Sequence, residues 1–182
     1  MRISQRLTPI LLLASLLLPH SAWSASKLEI DARVRATLDK LYADEPVARE
    51  LGAKASGVLV FPRVIKAGIG IGGEHGEGSL LVGGAPVQYY RTTAASIGFQ
   101  LGAQAKSEVV MFMSGHALDK FRASDGWEAG VDGSVAIVKF GVGKEIDTHN
   151  VRDPIIGFVF GNQGLMYDLS LEGSKFWKIK KK

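Results

Sequence analysis

Residues 57–84 read GVLVFPRVIKAGIGIGGEHGEGSLLVGG, a stretch in which apolar side chains alternate with glycine instead of with polar residues. Alternation with a period of two is the mark of a strand: Ala67, Ile69 and Ile71 point to one face, while Gly68, Gly70 and Gly72 leave the other bare. Each glycine weakens a strand by removing packing surface and raising the entropy cost of order, so repeated glycine implies close backbone approach, a sharp bend or a ligand lying flat. Tight packing or barrel curvature is the reading adopted. The device returns at Ala94–Gln104, where Ile97, Phe99, Leu101 and Ala103 alternate with Gly98, Gln100, Gly102 and Gln104. Of the 22 glycines, all but Gly52 and Gly173 lie between Gly57 and Gly164, which confines this composition to one sheet system.

Two helical patterns precede the sheet. Val34, Leu38, Leu41 and Tyr42 share a face over Leu28–Tyr42, with Arg33, Arg35, Asp39 and Lys40 outside it. These mixed charges suit a packed helix better than one lying on a membrane. A second helix is expected from Asp44 as N-cap, with Pro46 in its first turn, through Val47 and Leu51 to before Gly57. Downstream, strands are expected at Glu108–Met113, Ser134–Phe140, Ile155–Phe160 and Leu165–Leu171, and a short helix capped by Ser114 carries Ala117, Leu118 and Phe121. Asp125-Gly126, Asp132-Gly133 and Asn162-Gln163-Gly164 mark turns. The sum is an α+β fold, a glycine-rich, largely antiparallel sheet or partial barrel covered by N-terminal helices.

The first 24 residues read as an export signal. Arg2 and Arg6 form a positive start, Ile10–Leu18 a short apolar run, and Ala22-Trp23-Ser24 a small-residue cleavage site. The run is too short to span ~30 Å of hydrocarbon comfortably. Residues 25–182 then form a single domain, periplasmic or secreted. The chain has no cysteine, which excludes disulfides and a lipid-modified cysteine anchor. It has 22 basic and 18 acidic residues; losing Arg2 and Arg6 leaves 20 against 18, a net +2 that does not announce a nucleic-acid partner.

Local charge matters more than the total. The sequence closes on KFWKIKKK, where Lys175 and Lys178 flank Phe176 and Trp177. Basic residues beside aromatics suit a lipid interface, each lysine gaining ~1 kcal/mol near an anionic leaflet. A strand ending in solvated lysines is the competing reading.

Across most of residues 28–179 the chain resembles the SYLF domain, also called the Ysc84-like actin- and lipid-binding domain. The resemblance rests on GVLVFPRVIKAGIGIGGEHGEGSLL, on YYRTTAASIGFQLGAQ at Tyr89–Gln104, and on the later WEAGVDGSV and GLMYDLSLEGSKF blocks, in family order. It implies a non-catalytic module without cofactor that binds phospholipid headgroups, with actin binding in some members. It also places a lysine at Lys66, and so marks Arg63 and Lys66 as headgroup contacts. The expected lipid-binding set is therefore Arg63, Lys66, Lys175, Phe176, Trp177 and Lys178, with an anionic phospholipid or membrane surface as partner. A cell-envelope protein seated on the glycine-flattened face is the alternative.

Enzyme-like signals are weak. Gly68, Gly70 and Gly73 satisfy G-x-G-x-x-G, but no helix start follows and no acid occurs between Gly78 and Ser107, so a dinucleotide site is not expected. Ala94-Ala95-Ser96-Ile97-Gly98 echoes a hydrolase elbow without its first glycine, leaving a serine hydrolase built on Ser96 as a third reading. His75, His116 and His149 lack metal-ligand spacing. Glu74-His75-Gly76-Glu77 reads as a solvated hairpin tip.

Overall fold

The computed structural model describes residues 25–138, 153–163 and 171–181. The export signal at 1–24, His149, and the strand expected over Leu165–Leu171, except its last residue, lie outside them. The architecture is α+β, a curled mixed sheet closing into a half-barrel with helices against it.

Helix α1 (Lys27–Asp44) starts where Ser26 accepts the Glu29 N–H at 3.3 Å. Ile30, Val34, Leu38 and Leu41, three or four residues apart, form its buried stripe. Helix α2 (Pro46–Lys54) has Pro46 in its first turn, as expected, but its N-cap is Glu45 and not Asp44. The reason is that α1 runs on through Asp44, and the Glu45 N–H still bonds the Leu41 carbonyl at 2.9 Å.

Strands β1 (Gly57–Val82) and β2 (Ala85–Phe112) form one antiparallel hairpin of 26 and 28 residues. Its turn is Gly83-Gly84, with φ of 58° and 78°; two successive left-handed residues match the twist of a tight hairpin. Strands this long cannot stay straight, and the pairing breaks between Phe61 and Val64, between Gly68 and Gly70 and between Leu80 and Leu81. Each half of β2 carries its own extension on the far edge. Residues 105–112 pair with β5 (Ile155–Gln163), which takes β4 (Ala136–Val138) in parallel, and residues 89–93 pair with β6 (Lys175–Ile179), which takes β3 (Trp127–Glu128).

The curl brings the two limbs of β1 onto each other, and the glycines make room. A Cβ on Gly78 would lie 1.9 Å from the Val60 carbonyl oxygen, and one on Gly76 would lie 2.8 Å from that of Arg63. The bare face expected from the alternation is therefore filled at these two positions by the chain's own first limb. That contact also covers part of an edge strand, which would otherwise present unpaired backbone groups.

Val58-Leu59-Val60-Phe61 is buried on both faces, as a continuous apolar run requires. Leu59 and Phe61 face the inner core with Leu80, Tyr90, Val110, Phe112, Phe121, Trp127 and Phe176, while Val58 and Val60 face α1 and α2 with Val109 and Met111. Helix α3 (Gly115–Ala123) is capped by Ser114, which accepts the Ala117 N–H at 3.2 Å, and it sends Phe121 into the inner core.

Candidate anion-binding face

Strand parity sorts the expected site residues into two groups. Lys66 shares the inward face of β1 with Val64 and is only 4% exposed; its ammonium lies 3.4 Å from a Glu74 carboxylate oxygen. Lys66 is thus not a surface contact. Phe176 is also inward, 1% exposed, its ring 5.3 Å from Phe61 and stacked at 5.7 Å on Trp127. It is a core residue and not a shallow membrane anchor, because its register partner Thr92 points into the half-barrel.

Glu74 is likewise inward and 2.7 Å from the Lys106 ammonium, which also lies 3.0 Å from Glu108. The expected hairpin tip at 74–77 instead lies within the second half of β1, paired with β2, and Lys66, Glu74, Lys106 and Glu108 form an ionic plug beyond the apolar core. Each member of this quartet meets an opposite charge, which offsets part of the cost of burying it. Glu108 is the most deeply buried of the four, 0% exposed, and Lys106, 3.0 Å from its carboxylate, is its ion-pair partner. Burial pushes its carboxyl above the usual carboxylate range, against the opposing attraction of Lys106.

Arg63 and Trp177 point outward. Arg63, Arg91 and Arg33 line one open cleft of about 490 Å³ between α1 and the curled hairpin, with Ile65, His75 and Glu77. Neither Arg63 nor Arg91 makes an ion pair among the described residues, while Arg33 is bonded to Glu29 at 2.5 Å. Tyr89 fixes the wall of the cleft by donating its hydroxyl to the Asp31 carboxylate of α1 at 3.0 Å; burial first, and that carboxylate second, hold the phenol above its usual pKa.

Trp177 stands opposite Arg91 in the β2–β6 register, 38% exposed, beside this cleft wall. Its indole N–H donates to Thr93 Oγ1 at 3.2 Å, and its ring lies over Gly126, where any Cβ would come within 2.6 Å of the ring. Ile65 is a second exposed apolar side chain at the cleft, 41% exposed. Lys175 and Lys178 are also on the surface, but each is paired, with Glu128 at 2.9 Å and with Asp125 at 3.6 Å. Arg33 and Arg91 were not legible as site residues, since only the register and the helix packing bring them to Arg63.

Ser96 lies in the middle of β2, opposite Gly72, and not at a strand-to-helix turn. Among the described residues no group of three or more His, Cys, Asp or Glu side chains is placed to hold a metal, and no helix is long and apolar enough to cross a membrane.

None of the curated proteins compared with the chain matches it. The model of the Ysc84 family, described as Las17-binding protein actin regulator, matches residues 93–182, from within β2 through β6. By that match residues 93–182 carry a Ysc84 (SYLF) domain, of a family linked to actin and lipid binding.

Proposed function

We propose that this protein is exported and acts as a non-catalytic module that docks reversibly on anionic phospholipid, using the cleft of Arg33, Arg63 and Arg91 for headgroup phosphates and Trp177 and Ile65 as shallow apolar contacts. The carrying observation is that two guanidiniums, Arg63 and Arg91, make no ion pair among the described residues and share one open cleft bordered by exposed apolar side chains. A guanidinium is weakly hydrated and offers a planar fork of donors that fits phosphate oxygens. An indole at the level of the headgroups adds apolar area without deep insertion. Neither contact alone gives lasting residence, and together they do. In this reading Lys175 and Lys178, already held by acids, contribute less than the arginines.

Each basic residue near an anionic leaflet is worth ~1 kcal/mol, so Arg63→Gln/Arg91→Gln should weaken binding to anionic vesicles about 25-fold. Sedimentation with equimolar phosphatidylcholine and phosphatidylglycerol measures it, and binding should also fall as salt is raised. Unchanged binding by the double variant removes the cleft from the mechanism.

A further inference from the structure

Lys181, just past β6, is a half-buried residue whose side chain is only 5% exposed, a depth at which a lysine ammonium needs a partner. Its Nζ lies 2.6 Å from Glu77 Oε2. Glu77 lines the arginine cleft and stands directly opposite Arg91 in the β1–β2 register. Directly opposed side chains on one sheet face have Cβ atoms only ~4.5–5.5 Å apart, so a carboxylate at 77 has a guanidinium within easy reach. Arg91 nevertheless makes no ion pair among the described residues, and the Glu77 carboxylate is turned to Lys181.

We infer that Lys181 is a positioning residue for the anion cleft: by holding Glu77 it keeps the Arg91 guanidinium available to a phosphate. The inference rests on the cleft being the anion site proposed above. Without the Lys181 ammonium, the Glu77 carboxylate loses the cation that turns it from its register partner Arg91, and a carboxylate bound to Arg91 competes with any incoming phosphate for the same fork of donors. The cleft would then lose an arginine without any arginine being mutated.

The test is non-additivity in binding to equimolar phosphatidylcholine and phosphatidylglycerol vesicles. Lys181→Met and Arg91→Gln should each weaken binding about fivefold, the equivalent of ~1 kcal/mol, and the two together should also weaken it about fivefold, because Arg91 is already engaged once Lys181 is gone. Lys180→Met removes the same charge from an exposed neighbour, and its loss should multiply with that of Arg91→Gln. Lys181→Arg keeps the pair and should bind like wild type, which separates loss of the ammonium from loss of the fold. A 25-fold loss in Lys181→Met/Arg91→Gln, or wild-type binding by Lys181→Met, overturns the role of Lys181 while leaving the cleft in place. A wild-type protein that binds neither these vesicles nor pure phosphatidylcholine overturns the membrane reading and this inference with it, before any variant is compared.

Discussion

Replacing Lys106 with methionine is expected to lower stability by about 3–5 kcal/mol at neutral pH, the cost of leaving buried charge without its partner. Lys106 is 3% exposed and is the cation shared by Glu74 at 2.7 Å and Glu108 at 3.0 Å. Its removal leaves Lys66 as the single cation of the plug, 3.4 Å from Glu74. The loss should shrink as pH falls, since a protonated Glu108 no longer repels Glu74. Lys106→Met/Glu108→Leu removes both members of a pair and should recover most of the loss, because apolar replacement of a buried ion pair is commonly neutral or better. Urea unfolding at two pH values measures all three effects; a cost below about 1 kcal/mol for Lys106→Met would mean that the plug is hydrated and not desolvated.

The wild-type pH dependence follows from the direction of the Glu108 shift. Its carboxyl is raised in the folded state, by burial above all, so its contribution is fully present below the unfolded value of about 4.3 and is lost as pH rises through the folded value. Glu108→Gln cannot ionise. Its stability relative to wild type should therefore improve as pH rises above about 4.3, and a difference that stays flat would remove Glu108 as the titrating group.

Gly78→Ala is expected to cost about 3 kcal/mol, at the top of the overpacking range, and to lower Tm by roughly 6–12 °C. The added methyl would meet the Val60 carbonyl oxygen at 1.9 Å and the Phe61 ring at 2.9 Å, and the first of these is backbone, which cannot swing aside. Gly73→Ala is the control: its methyl would meet nothing nearer than the Ala94 carbonyl oxygen at 3.8 Å. Loss of a glycine alone should slightly stabilise such a strand by restricting the unfolded chain. Equal melting of the two variants would mean that the limbs of β1 do not pack as described.

Much of this fold was legible in the sequence because its signals are local. The apolar stripe of α1 and the Ser114 cap of α3 each need only neighbours a few residues away. The glycine alternation announced close approach without saying what approaches, and the answer lies 12 to 18 residues earlier on the same strand, at Val60 to Val64. Glu74-His75-Gly76-Glu77 looked like a tip because two acids and a glycine are loop composition. What makes it a strand is that Glu74 has inward cations, Lys66 from the first limb and Lys106 from β2, and only the curl joins them.

The site was only half legible for a similar reason. In Lys175-Phe176-Trp177-Lys178 either aromatic could face inward, and the register with Thr92 and Arg91 decides for Phe176. Lys66 could have been doubted from parity alone, since it shares a face with Val64 while Ile65 takes the other, and Glu108 likewise falls in step with Val110 and Phe112. Nothing local marks Arg33 or Arg91, which come from α1 and β2 and meet Arg63 only in the folded chain.

The most direct test of the account is where Trp177 sits when the protein is on a membrane. Its emission, taken as the difference between the protein and its Trp177→Phe variant, should shift to the blue on anionic vesicles and be quenched by lipids brominated close to the headgroup, with no such change on zwitterionic vesicles. Binding to anionic vesicles that leaves Trp177 unquenched would place a different face on the lipid and contradict the central claim.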